Sequence, residues 1–377
     1  MSEWKKYKIA DIATMKNGKV RPKTKGDIPV YGGNGIMDWT DSYNAENVII
    51  IGRVGAYCGV AYLCTGRCWV SDNAISISAR PDVDLLYLYY LIHTINFHYY
   101  HIGGAQPLMT QSIIGDIQII IPPLEEQKRI AGILSALDDK IELNRRINEN
   151  LEQQAQALFK HWFVEHSTNG TLNDIVENSL SGDWGKETST GIYNTEVYCI
   201  RGADIPDIRI GNKGKMSIRY ILEKNCNKKK LSANDIVVEI SGGSPTQSTG
   251  RVCLITQSLL NRLGKSTICT NFCKAITPKK NYAIYLYLYW QYLYDNNIMF
   301  GYENGTTGIK NLDITNLINK ERIFIPPYDD IVKLNRILIP VFDAINENGI
   351  ENEKLAFIRD TLLPKLMSGE LNIEEYA

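Results

Sequence analysis

No stretch of this 377-residue chain reaches the run of about 20 apolar residues that a membrane span needs. The opening residues, Met1-Ser2-Glu3-Trp4-Lys5-Lys6, carry charge with no apolar segment behind it, so they do not read as a secretion signal. Together these points predict a cytoplasmic protein. Histidine is scarce, five in all. His93, His98 and His101 fall in one aromatic-rich stretch without metal-ligand spacing. The eight cysteines include no CxxC pair. Cys64/Cys68 and Cys269/Cys273 are four apart in β-branched, strand-like sequence, which puts each pair on one face. Reduced, partly buried thiols are expected there, and no metal.

Familiar catalytic signatures are also missing. Gly264-Lys265-Ser266 lacks the glycine a phosphate loop requires at position 259, which is Leu259. Gly52-Arg53-Val54-Gly55 has the wrong spacing to Gly59 for a dinucleotide fingerprint. Both Pro-Pro pairs follow isoleucine rather than the Asn or Asp of an adenine methyltransferase tetrapeptide. The expectation is a chain without an active site or cofactor of its own. Net charge is also small, −1 in total, but its distribution is uneven. Lys5, Lys6, Lys8, Lys16, Lys19, Arg21, Lys23 and Lys25 crowd the first segment, and Lys213, Lys215, Lys224, Lys228, Lys229 and Lys230 crowd another. Local basic patches on a neutral chain are compatible with nucleic-acid binding.

What the chain does have is internal repetition. Ile119-Ile120-Ile121-Pro122-Pro123-Leu124 returns 204 residues later as Ile323-Phe324-Ile325-Pro326-Pro327-Tyr328. A glycine-rich polar loop precedes each copy, Gly103 to Gln106 and Asn304 to Gly308, and a tyrosine-rich run precedes each loop. Those runs, at 85–100 and 282–294, read as helices. Val48–Ile51, Val60–Leu63, Ala74–Ile77, Asp235–Ile240 and Arg251–Ile255 read as strands. Both halves are therefore mixed α/β.

After each Pro-Pro pair, apolar residues recur at coiled-coil spacing. The first copy gives Ile130, Leu137, Asn144, Leu151 and Leu158, beside Leu134, Ile141, Asn148, Ala155 and Trp162. The second gives Leu334, Val341, Asn348, Leu355 and Leu362, beside Ile331, Leu338, Ile345, Asn352 and Arg359, the last breaking its row. Asn144 and Asn148 match Asn348 and Asn352 at the same offset, which predicts one polar layer that fixes register in an antiparallel pair. Each helix of ~40 residues is ~60 Å long. Pro340 predicts a kink in the second. The expected class is α+β: two mixed α/β domains separated by a long antiparallel two-helix coiled coil, an internal repeat with pseudo-twofold symmetry. The expected bounds are 1–122 and 167–325 for the domains, with the helices at 123–166 and 326–377.

This arrangement resembles the specificity subunits of type I restriction–modification systems. The matching stretches are Ile121-Pro122-Pro123-Leu124-Glu125-Glu126-Gln127-Lys128-Arg129-Ile130, Asn144-Arg145-Arg146-Ile147-Asn148-Glu149-Asn150-Leu151, Leu158–Phe163, Leu362–Leu371 and Trp4–Ala13. The second copy departs from the pattern at Tyr328-Asp329-Asp330-Ile331 and at Pro340. The resemblance implies two target-recognition domains, each reading one half of a split duplex-DNA site. It also implies helices that set the spacing and dock two methyltransferase subunits, joined by motor–nuclease subunits. S-adenosylmethionine, ATP and magnesium would belong to those partners.

Direct readout needs donors and acceptors that fit the groove, and phosphate contacts need cations and backbone N–H groups. The candidates in the first half are Lys19, Arg21, Arg53, Gly55, Gln106, Thr110 and Gln111. In the second they are Ser244, Thr246, Gln247, Arg251, Thr306, Thr307 and Lys310. Half-sites about one helical turn apart, ~10 base pairs, are expected. A stand-alone two-headed DNA-binding regulator and a coiled-coil adaptor without a DNA role remain the alternatives at this point.

Overall fold

The computed structural model describes residues 4–371 apart from 101, 103–106, 245 and 307–308. Two compact units emerge, Met1–Lys140 with Leu355–Ala377, and Ile141–Lys354. The long helices, Leu124–Phe159 and Tyr328–Met367, each contribute to both.

In the first unit a six-stranded sheet has the order Ala13–Asn17, Ala74–Ala79, Ala45–Gly52, Ala61–Val70, Ile28–Gly32, Gly35–Thr40. Isoleucines at 49, 51, 75 and 77 line one face. The helix Leu85–Thr94 covers them with Tyr87, Leu88, Leu91 and Ile92. Asp84 caps that helix, accepting from the Tyr87 amide at 2.8 Å. The same core takes in Ile130 and Leu134 of one long helix and Leu366 and Met367 of the other. Lys5–Lys8 pairs antiparallel with Gln118–Ile121, bringing the start of the domain to the Pro-Pro exit. Buried Gln127 then ties that exit to the domain. It donates to the Pro122 carbonyl at 2.8 Å and accepts from the Asp84 amide at 2.9 Å.

The second unit repeats the plan. Its four-stranded sheet, Val176–Ser181, Cys273–Pro278, Ile236–Glu239, Val252–Leu254, reproduces the first four strands of the other sheet, all antiparallel. Helix Ala283–Asp295 is buried along most of its length, and Trp290 Nε1 donates to the Gly250 carbonyl at 2.9 Å. Arg322–Ile323 pairs with Gly170–Thr171 before Pro326-Pro327. Added to the plan is a second sheet, Ser217–Leu222, Tyr193–Ile200, Thr267–Cys269, flanked by helices Ile205–Arg209, Glu223–Lys229 and Gln257–Leu263.

Acidic residues fill the first turns of both long helices, Glu125 and Glu126, then Asp329 and Asp330, where the helix dipole favours negative charge. The second helix runs from Tyr328 to Met367 and contains both Pro340 and Pro364. Proline at 340 removes one amide donor but does not end the helix.

Candidate nucleic-acid interface

Within each unit the helices meet antiparallel. In the second, Asn144 Nδ2 donates to Asn352 Oδ1 at 2.9 Å and to Glu351 at 2.6 Å. Asn348 Nδ2 donates to Asn148 Oδ1 at 2.7 Å. Asn148 turns its own amide to the carbonyls of Ile345, 3.0 Å away, and Ile210, 2.9 Å away. Leu137, Leu151, Val341 and Leu355 are half-buried at the edges of the pairing. Phe342, not Val341, takes the buried place, because the domain presents Tyr287 there with ring centroids 5.7 Å apart. In the first unit Arg359, which interrupts the apolar row, reaches Asp138 at 2.5 Å, and Tyr90 donates to the same carboxylate at 2.6 Å.

The candidate reading loops form the same backbone device in both units. In the first, Val54 bridges to Leu108, and Leu108 bridges to Ile102. Two further bonds hold it, Gly55 N to the Pro107 carbonyl at 3.1 Å and Met109 N to the Arg53 carbonyl at 2.8 Å. Gly55 sits at φ +70°, where a side chain is strained. In the second unit Ser241–Gly242 pairs with Ile309–Leu312, which pairs with Glu303–Thr306. A strand-end turn is laid beside a hairpin in each case.

The individual side chains differ. Arg53 is half-buried, and its Nε has no hydrogen-bond partner among the described residues. Tyr57, Tyr99 and Ile102 stand exposed on the adjoining turns. Arg251, by contrast, forks onto buried Glu239 at 2.8 and 2.6 Å, and this carboxylate raises its pKa above the usual value. Lys310 pairs with Glu303 at 3.0 Å, and Thr249 holds the other oxygen of that carboxylate. Thr110 caps the helix Gln111–Gly115 by accepting from the Ile113 amide. Gln111, with its nitrogen toward the Met15 carbonyl and its oxygen toward the Asn17 amide, is satisfied inside the domain. Ser244 closes a tight turn by accepting from the Thr246 and Gln247 amides, leaving those two side chains exposed. Gln106 and Thr307 lie outside the described residues, and of Thr306 only the backbone is described.

Lys19 is exposed. Arg21 shares Asp38 with Lys25, at 3.4 and 2.9 Å. With Val20, Lys23, Met37 and Asn73 these side chains border a cavity of about 520 Å³ beside the edge strand Gly35–Thr40. Lys23, Lys25 and exposed Met37 and Trp39 are candidates that motif reading passed over. The signal for them was present: cations at 19, 21, 23 and 25 alternate, so an extended segment turns them to one side. Among the described residues no helix is long and apolar enough to cross a membrane. The cysteine pairs are buried, and burial pushes the Cys273 thiol up to about 12.

Comparison with known proteins agrees with this geometry. The model of the type I restriction modification DNA specificity domain matches residues 1–153 and 171–355. A relative from Methanocaldococcus jannaschii, the type I restriction enzyme MjaIX specificity subunit, is 28% identical over 99% of this chain and 94% of its own length. The HindI specificity subunit of Haemophilus influenzae is 25% identical over 71% of this chain and 72% of its own. The crystal structure of a type I restriction–modification S subunit from M. genitalium matches the fold with a TM-score of 0.55, at 18% identity over 97% of this chain and 96% of that one. With two copies of the domain, each returning to one antiparallel helix pair, the chain belongs to the type I restriction–modification specificity subunits.

Proposed function

We propose that this chain is the non-catalytic DNA-reading subunit of a type I restriction–modification complex, each domain recognising one half of a two-part duplex target. The observation that carries this reading is the duplicated device of turn and hairpin, Val54 with Leu108 and Ser241–Gly242 with Ile309–Leu312. Two such loops, one per domain, suit two separate stretches of groove. Half-buried Arg53, whose buried Nε has no hydrogen-bond partner among the described residues, is our candidate for a guanine, and Thr246 and Gln247 supply exposed polar groups. Lys19, Arg21, Lys23 and Lys25 supply the phosphate-facing charge of the first domain.

Apolar residues exposed on the long helices support partner docking. Ile133 and Ile337 are 37% and 44% exposed and occupy equivalent positions of the repeat. Equivalent apolar spots on equivalent helices fit two copies of one partner, here the methyltransferase subunits. Those subunits would hold S-adenosylmethionine, and motor–nuclease subunits would use ATP and magnesium.

The test is exchange of residues 172–318 for the matching domain of a relative, followed by methylation sequencing of the host genome. One half of the methylated motif is expected to change while the other half stays. Both halves changing, or neither, removes the two-reader model. The purified chain alone, given S-adenosylmethionine, ATP and magnesium, is expected neither to methylate nor to cleave DNA.

A further inference from the structure

The repeat brings equivalent helix positions into unlike surroundings. Glu142, Arg145, Arg146 and Glu149 on the first helix become Asn346, Gly349, Ile350 and Glu353 on the second. The first set is a surface ion network: Arg145 binds Glu142 at 2.7 Å and also Glu149, and Arg146 binds Glu142 at 2.8 Å. The second set faces the second domain: its loop 210–213 packs on Gly349 and reaches Glu353, and Thr256 bonds to Asn346.

The contact is backbone to backbone. A Cβ on Gly349 would lie 1.8 Å from the Gly211 carbonyl oxygen, and one on Gly211 would lie 2.2 Å from the Ile345 oxygen. Gly211 itself sits at φ +85°. Glycine inside a helix is unfavourable, so a packing reason for Gly349 is required, and this approach supplies it. The polar layer then grips the loop. Asn148 donates to the Ile210 carbonyl, and Arg262 donates to the Gly211 carbonyl at 2.7 Å while pairing with Glu353 at 2.6 Å. Lys213 pairs with Glu353 at 3.0 Å, and Thr256 bonds to Asn346 at 2.9 Å. Asn148 therefore serves a domain as well as a seam.

We infer that the 210–213 loop, held by Gly349, Asn148 and Arg262, sets the orientation of the second recognition domain, making these three residues positioning residues for its half of the target. This rests on the two-reader function proposed above. A role confined to helix stability would affect both halves of the target alike. A joint that aims one domain affects one half.

The experiment uses the assembled methyltransferase complex and duplexes carrying single-base changes in each half. Gly349→Ala is expected to lower discrimination in the second domain's half about tenfold, the scale of one mismatched pair, and to leave the other half unchanged. Arg262→Ala is expected to act in the same direction, with Arg262→Lys restoring part of the loss. If Gly349→Ala fails to fold, the arginine pair decides. Wild-type discrimination in Gly349→Ala and Arg262→Ala, or equal loss in both halves, overturns the inference. A wild-type complex that reads no two-part target overturns the proposed function instead, and the inference with it.

Discussion

The two domains sit on the long helices through the same chemistry at different depths. In each, a tyrosine from the aromatic helix donates to a carboxylate on the first long helix, and an arginine completes the group. In the first unit these are Tyr90, Asp138 and Arg359, with Asp138 and Arg359 about a third exposed at 33% and 29%. In the second they are Tyr287, Glu152 and Arg209, with Tyr287 fully buried and Gln291 adding a third contact to the carboxylate at 2.8 Å. A duplicated backbone has thus been given one shallow and one deep seat. Depth decides the energy, because removing Glu152 leaves the buried Tyr287 hydroxyl and Gln291 amide without their acceptor as well as Arg209 without its partner, whereas the Asp138 group is open to water. Glu152→Ala is expected to destabilise the second unit by about 3 kcal/mol. Asp138→Ala is expected to cost about 1 kcal/mol. Urea unfolding of both variants checks this, and equal losses would mean that the two seats are alike.

The reading loops contrast in the same way. Arg251 is the sole ion-pair partner of buried Glu239 among the described residues, whereas Arg53 keeps a buried Nε with no hydrogen-bond partner among them. Arg251→Ala should therefore destabilise the second domain by about 2 kcal/mol, through the stranded carboxylate. Arg53→Ala should leave the melting temperature unchanged and weaken DNA binding by the complex by about 1–3 kcal/mol. Thermal melts and binding isotherms on both variants separate the two roles. A stable Arg251→Ala that binds DNA poorly would place Arg251 in the interface instead.

Features governed by periodicity were legible in the sequence. The heptad rows, the Pro-Pro entries and the tyrosine helices follow from spacing alone, and the repeat supplied a second reading of each. Three things were not. The sheet of Tyr193–Ile200, Ser217–Leu222 and Thr267–Cys269 has no counterpart in the first half, so the repeat was silent on it. Phe342 displaces Val341 because a tyrosine from outside the helices covers it, and a heptad does not encode such a neighbour. Arg251 looked like a loop cation because Glu239, twelve residues away, becomes its partner only across two adjacent strands. Pro340 lies inside the second long helix, which continues to Met367 with Leu334, Leu338 and Phe342 packed in the core on either side of it.

The polar layer divides likewise into a seam part and a domain part. Asn144 and Asn352 face one another, so replacing both by leucine removes that donor and acceptor together and takes one donor from half-buried Glu351, which water can reach. That double variant is expected to be neutral or more stable by about 1 kcal/mol, with looser register. Asn148→Leu strands the Ile210 carbonyl and the Asn348 amide and is expected to cost about 1–2 kcal/mol. Chemical denaturation of the two variants should move in opposite directions. A gain in both would mean that the loop carbonyl finds another donor.

The smallest difference expected lies on the helix faces themselves. Glu142, hydrogen-bonded first by Arg145 and then by Arg146, has its carboxyl lowered to about 2 from an ordinary value of 4.5. A folded-state pKa below the unfolded one gives stability that is fully present above about pH 4.5 and is lost as the pH falls toward 2. The carboxylate is 42% exposed, so water screens most of this, and the contribution is about 0.5 kcal/mol. Glu142→Gln should therefore match the wild type at pH 2 and fall slightly below it at pH 7. The equivalent position on the second helix is Asn346, which does not titrate, so Asn346→Ala should show the same loss at both values. Acid and neutral denaturation curves for the two variants give the comparison. A Glu142→Gln deficit that persists unchanged at pH 2 would show that Glu142 acts through packing, and that the two helix faces differ in shape but not in charge.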